Sequence, residues 1–92
     1  MTTMDNDPRF ADFVMMQAQN AGMFLGQIPN PASGKPEVHL KAARSVLDSL
    51  EMLENKTSGN RTEEEDKLLQ TALLHLRTLY ANVEAQQESD PG

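Results

Sequence analysis

The chain has 92 residues, of which fourteen are acidic and eight are basic, so its formal net charge is −6. This surplus of negative charge disfavours nucleic acids and anionic lipids as partners, because both are bound through clustered lysine and arginine side chains. Cysteine is absent, which excludes disulfides and thiolate metal sites and leaves helix packing, or a second chain, to stabilise so small a core.

Helix 1 is predicted to begin at Asp7-Pro8, an N-cap followed by proline at the first helical position, and to end near Gly26. The residues before it, over 1–7, are expected to form a flexible N-terminus. Past the first turn of this helix, Asp12 is the only charged residue. The large apolar side chains spread over about half of the helix circumference, which is more than one helical hairpin can cover.

A segment rich in proline, from Gln27 to Pro36, separates helix 1 from helix 2 and predicts a stiff loop. It contains Ser33-Gly34-Lys35, which resembles part of a phosphate-binding loop. A Walker A loop needs a further glycine before its Gly-Lys pair and a hydroxyl residue directly after it. These two positions hold Pro29 and Pro36 here, and proline has no backbone N–H to donate. We therefore interpret the segment as a turn that leads into helix 2.

Helix 2 is predicted from about Glu37 to Lys56, and helix 3 from its cap at Thr62 to about Ala85. Glu65, three residues after Thr62, completes a capping box. Each helix carries one apolar stripe with steps of three and four residues, and the turn between them is short, so the two should form an antiparallel hairpin. The predicted core of this hairpin consists of Leu47, Leu50, Leu69, Leu73 and Leu76.

The order of short motifs along the chain is more specific than a generic helical hairpin. These motifs are Leu25-Gly26, Pro29-Asn30-Pro31, the helical stretch 43–53, Lys56-Thr57 with Gly59-Asn60, and Glu64-Glu65. In this order the chain, from Phe10 to Val83, resembles a small bacterial family known only as a domain of unknown function, DUF1844. The resemblance implies a compact, all-helical protein, and it supplies no activity, substrate or catalytic residue.

The sequence thus predicts an all-α fold, with a single helical domain over 8–85 and a flexible C-terminal tail over 86–92. Helix 1 is expected to pack on the hairpin and on a second chain, because each large apolar side chain left in water loses about 1.5–3 kcal/mol. The predicted homodimer interface is a row of residues on helix 1 spaced three and four apart, together with Phe13 and Leu25 beside this row. The interface comprises Phe10, Phe13, Val14, Gln17, Ala21, Phe24, Leu25 and Ile28.

Two histidines are the main candidates for catalysis or metal binding, because imidazole is the usual general base and metal ligand. His39 is expected in the first turn of helix 2, and His75 at the rim of the apolar stripe of helix 3. Neither belongs to a Glu-x-x-His or His-x-x-x-His pair, and Ser45 and Ser49 lack a local base. The sequence therefore predicts packing roles for both histidines, and it predicts no catalytic, cofactor-binding or metal-binding residue.

These observations favour a non-catalytic homo-oligomeric assembly or adaptor protein, which binds a copy of itself or another protein. A cluster of methionines on helix 1 is compatible with an adaptable binding surface, although core filling is the commoner use. The alternative is a small ligand-binding or enzymatic subunit that uses His39 or His75 near the loop over 27–36. The acidic start of the chain differs from a signal peptide, and no apolar run reaches the length of a membrane span. A cytoplasmic protein, with neither a membrane nor a nucleic acid as partner, is expected.

Overall fold

The computed structural model describes residues 5–89, which form three α-helices. Helices α2 and α3 pack as an antiparallel hairpin, and α1 lies against both of them. The predicted all-α fold is therefore confirmed. Within the described residues there is no regular strand, although Leu25 and Val38 form an isolated antiparallel bridge. The helices are α1, Pro8–Phe24; α2, Leu40–Lys56; and α3, Glu63–Ser89.

The core of the hairpin consists of the leucines that its apolar stripes predict. All five are buried, because the stripes of α2 and α3 face each other and α1 covers them from the side. Phe10 and Tyr80 are half-buried and pack against the edge of this core. The five leucines are Leu47, Leu50, Leu69, Leu73 and Leu76.

One stripe of α1 closes this core. Val14 and Ala21 lie on that stripe, and both are buried within the leucine cluster. Leu25, the residue after α1, joins Ala43 of α2 and Val83 of α3 in a second, smaller cluster. The main apolar stripe of α1 is therefore covered by its own chain.

The carboxylate of Glu65 joins the N-termini of α1 and α3. The N–H of Thr62 donates to Oε1 of Glu65 at 2.9 Å, and the N–H of Glu65 donates to Oγ1 of Thr62 at 3.1 Å, which is the predicted capping box. The second oxygen of Glu65 accepts the backbone N–H of Asp7, the N-cap of α1, at 2.8 Å. These bonds favour the ionised carboxylate and lower the pKa of Glu65, with the bond from Asp7 contributing most.

Arg61 holds the turn between α2 and α3 through a side chain that is only 12% exposed. Its Nη1 donates to the carbonyl of Glu54 at 2.7 Å and to Oγ1 of Thr57 at 2.8 Å. Its Nε and Nη2 both donate to Oδ1 of Asp66, at 3.0 and 2.8 Å. One guanidinium fork thus connects the last turn of α2 to the first turn of α3, which fixes the hairpin at its closed end.

The start of α2 differs from the prediction. The helix begins at Leu40 and not near Glu37, because the preceding residues are extended. Val38 pairs with Leu25 in the isolated bridge, and the N–H of His39 donates to the last carbonyl of α1 at 2.7 Å. This pairing joins residues distant in sequence, and helical periodicity does not report it.

The end of α3 also differs, since the helix continues to Ser89 where the prediction ended near Ala85. The intervening residues contain neither glycine nor proline, and alanine, glutamine and glutamate all favour helix. The first four and last three residues of the chain, which belong to the predicted flexible termini, lie outside the described residues.

The hairpin core can be tested by truncating its leucines. Leu50→Ala and Leu73→Ala should each lower the free energy of unfolding by about 2–5 kcal/mol, because each removes buried contacts and leaves a cavity. Leu74→Ala is the matched control, since Leu74 is the next residue of α3 and is 69% exposed, and its effect should stay within about 0.5 kcal/mol. Urea denaturation measures all three. Losses under about 1 kcal/mol at both buried positions would contradict this core.

The carboxylate that joins α1 to α3 should make stability depend on acidity. Because folding lowers the pKa of Glu65, its contribution is complete above the ordinary carboxyl pKa of 4.5 and is lost as the pH falls towards the lowered value. The wild type should therefore lose more stability than Glu65→Gln between neutral pH and pH values below 4.5. Glu63→Gln, an exposed neighbour in the same turn, should behave as the wild type in urea titrations. Equal losses in wild type and Glu65→Gln would contradict this linkage.

Candidate functional site

Four large apolar side chains remain exposed on α1 and directly after it, on the sides that the hairpin does not cover. At about 100° per residue, positions next to Val14 in sequence point away from the buried stripe. Exposed apolar side chains that lie together are typical of an interaction site. At the same step of about 100°, Phe13 points about 160° away from Met15, so it lies on another side of α1. We call the four residues together the α1 surface: Phe13 (41% exposed), Met15 (54%), Met16 (57%) and Ile28 (43%).

A groove of about 380 Å³ runs beside this surface, between α1 and α3. Met15 and Ile28 line it, together with the small residues Ala18, Gly22 and Ala72. A Cβ atom placed on Gly22 would lie 3.2 Å from Cδ1 of Ile28, so Ile28 rests directly on the backbone of α1. The groove exists because small residues leave space between the two helices, and we call it the α1–α3 groove.

The α1–α3 groove is uncharged. None of the described residues that line it is acidic, lysine or arginine, and the polar ones include Gln19, Gln27 and His75. The sequence itself has no acidic or basic residue over 13–34. The groove, with Met15 and Ile28 in its lining, is thus an apolar and neutral region on a chain whose net charge is −6.

The outer face of the hairpin is different, because ion pairs cover it. Arg77 of α3 reaches Glu51 of α2 at 2.9 Å, and Arg44 reaches Asp48 at 2.9 Å and Glu51 at 3.3 Å. Glu51 thus connects the two helices through its ion pair with Arg77, on the solvated side of the hairpin. Each pair is partly exposed and contributes at most about 1 kcal/mol to the stability of the fold. The pairs therefore balance charge on this face and add little to stability.

Most residues of the predicted homodimer interface are covered by the packing of α1 within its own chain, and the interface itself stays a prediction. Only Phe13 and Ile28 of its eight residues are exposed. The other six are buried or half-buried within the chain, because α1 contacts both helices of the hairpin and so covers a wide stripe. Met15 and Met16, noted in the sequence only as part of a methionine cluster, are accessible instead. The six covered residues are Phe10, Val14, Gln17, Ala21, Phe24 and Leu25.

The two histidines lie in different places. His75 lines the α1–α3 groove. His39 is the N-cap residue of α2, but its side chain makes no capping hydrogen bond. Its ring packs edge-on against Phe24 with centroids 6.3 Å apart, in a separate cavity that Lys41 and Ser45 also line. The structure therefore does not bring the histidines together into one site.

A short polar chain links the loop to the start of α2. Oγ of Ser33 donates to Oε2 of Glu37, and Oε1 of Glu37 lies 3.4 Å from Nε2 of His39. The bond from Ser33 is the main cause of a lowered pKa at Glu37. In a Ser-His-Asp triad the imidazole takes the proton of the serine directly, whereas here a carboxylate lies between the two groups. The contacts connect the loop to the start of α2 and differ from the order of a triad.

The segment Ser33-Gly34-Lys35 uses its backbone donors within the loop. The N–H groups of Ser33 and Gly34 donate to the carbonyl of Asn30 at 3.2 and 2.6 Å, and that of Ala32 donates to Oδ1 of Asn30 at 2.8 Å. Gly34 has a φ of 72°, the left-handed conformation that suits glycine. A phosphate cradle requires amide groups that are free to bind a ligand, so this geometry is that of a turn centred on Asn30.

Over residues 5–89, no group of three or more histidine, aspartate or glutamate side chains is arranged to hold a metal ion. Over the same range, no helix combines the length and the apolar character that crossing a membrane requires.

Comparison with known proteins gives one match. The model of a family described as a domain of unknown function, DUF1844, matches residues 7–82. The matched region runs from the N-cap of α1 through most of α3, so it contains both walls of the α1–α3 groove. No curated protein and no solved structure matches the chain.

The role of the loop can be tested by a pair of substitutions. Asn30→Ala should lower the free energy of unfolding by about 1 kcal/mol, because it removes the acceptor of the Ala32 amide. Lys35→Ala should change it by less than about 0.5 kcal/mol, since the side chain is exposed. Urea denaturation, with and without inorganic phosphate, compares the variants. Stabilisation of the wild type by phosphate that Lys35→Ala abolishes would contradict the assignment as a turn.

Proposed function

The chain belongs to the DUF1844 family, and we propose that it is a non-catalytic, homo-oligomeric assembly protein whose second copy docks on the α1 surface and the α1–α3 groove. The observation that carries this proposal is the exposure of four large apolar side chains beside an uncharged groove. Buried in an interface, such side chains supply the apolar contact that drives association.

Electrostatics favours a second copy as the partner. Two chains that each carry a net charge of −6 repel, so a self-complementary interface must be neutral or must pair opposite charges. The residues of the α1 surface meet the first condition, because residues 13–34 contain no acidic or basic side chain, and the nearest charge along α1 is Asp12, one turn before Met15 and Met16. A strongly charged partner would require complementary charges, and this surface offers none.

The shape of the region also suits a two-fold dimer. In such a dimer the same patch contacts itself, so every projection needs a recess within the same patch. The α1 surface supplies projecting side chains, and the α1–α3 groove beside it supplies the recess. Methionine side chains are flexible, and Met15 and Met16 can therefore adapt to an irregular recess.

The alternative, a small ligand-binding or enzymatic subunit, has less support. It depends on His39 or His75 near the loop over 27–36, and since the two side chains line separate cavities, either would have to act without the other. In the series of polar contacts formed by Ser33, Glu37 and His39, the carboxylate lies between the serine and the imidazole. This order differs from a catalytic triad, in which the imidazole contacts the nucleophile. In the adaptor role, the partner is another protein instead of a second copy. Measurement of the oligomeric state separates the two roles.

A pair of methionine variants tests this proposal. Sedimentation equilibrium of the wild type should give twice the chain mass of 10.2 kDa at micromolar concentration. Met15→Glu should raise the dissociation constant at least about tenfold, because it buries an unpaired charge in the interface. Met52→Glu, at a methionine of α2 with a similar exposure of 53%, should dimerise as the wild type does.

Circular dichroism of each variant checks that its helices are retained. A folded wild type that stays at the chain mass up to the highest measurable concentration would contradict the proposal. Equal weakening by both substitutions would also contradict it, since only Met15 belongs to the α1 surface.

A further inference from the structure

The α1–α3 groove contains one titratable side chain among its described lining residues, His75. We infer that His75 makes docking of the second copy sensitive to pH, so that the neutral imidazole permits the dimer and the protonated imidazolium opposes it. This inference rests on the proposed self-association and adds its regulation.

The surroundings of His75 offer no charge to compensate an imidazolium. From α1 the groove is lined by uncharged residues that include Met15 and Gln19, and from the loop by Gln27 and Ile28. On α3, the positions three or four residues before and after His75 hold threonine, alanine and leucine. None of these side chains can neutralise a positive charge, although the two glutamine amides can hydrogen-bond to a neutral ring.

The charged groups on the same helices are placed or engaged elsewhere. Asp12, the only charged residue of α1 past its first turn, lies one turn before Met15 and does not line the groove. Arg77 follows His75 by two residues, on the side of α3 that faces α2, where it pairs with Glu51 at 2.9 Å. When the groove is covered, water is excluded from His75, and no acidic side chain among the described lining residues of its own chain lies beside it.

Removing water from a charged group costs free energy when no group of opposite charge is nearby. This cost disfavours the protonated, charged form of histidine. The dimer should consequently bind fewer protons than two separate chains, so association weakens as the pH falls. With one His75 in each copy, up to two protons are taken up on dissociation. The dissociation constant should then rise by up to about a hundredfold per pH unit at the acidic end of the range in which histidine titrates.

The experiment is sedimentation equilibrium of the full chain at pH 8 and pH 5.5, with circular dichroism to verify the fold. The wild-type dissociation constant should rise at least about tenfold at the lower pH, because each copy must release the proton of His75 before it associates. His75→Gln should dimerise with the same dissociation constant at both pH values, within about threefold. His75→Leu, which is also neutral, gives the same expectation if glutamine packs poorly.

The second histidine supplies the control. His39→Gln leaves the groove unchanged and should retain the full pH dependence of the wild type. A wild-type dimer that is equally tight at both pH values would overturn this inference while leaving the dimer itself intact. Loss of the pH dependence in His39→Gln, with its retention in His75→Gln, would overturn it as well. A chain that is monomeric at both pH values would overturn the proposed self-association together with it.

Discussion

The contact of α1 with both helices of the hairpin determines what the rest of the molecule can do. Val14 and Ala21 enter the leucine core, and the backbone around Gly22 comes close enough to the following loop for Ile28 to rest on it. This arrangement covers the widest apolar stripe of the helix and leaves a narrower one outside. The α1 surface is the part of an apolar helix that a three-helix arrangement cannot cover, and the groove beside it follows from the small residues at the same contact.

The fold separates charge from apolar surface. Arg44, Glu51 and Arg77 form ion pairs along the outer face of the hairpin, while residues 13–34, which form most of α1 and most of the following loop, contain no acidic or basic side chain. A chain with net charge −6 can approach a copy of itself most easily through such a neutral region. The same lack of charge leaves His75 without a counter-ion, so the feature that favours self-association also makes it sensitive to a proton.

Local rules predicted most of the fold, because they depend on residues close in sequence. The capping box of Thr62 and Glu65 and the leucine core follow from spacings of three and four residues. Periodicity shows which residues of helix 1 share a face and not how much of that face two neighbouring helices cover, so it did not separate the exposed Phe13 and Ile28 from the covered residues. The late start of α2 depends on the pairing of Leu25 with Val38, a contact between separated segments that periodicity does not encode.

The central claim, that the α1 surface is the contact between two copies, is tested most directly on the unmodified protein by methionine oxidation. Met15, Met16 and Met52 have nearly equal exposure within one chain, at 54%, 57% and 53%, so dilute peroxide should oxidise them at similar rates when the protein is monomeric. Mass spectrometry across a concentration series should show Met15 and Met16 becoming protected as the protein associates, while Met52 stays equally reactive. Association that leaves all three rates unchanged, or that protects Met52 alone, would contradict the account.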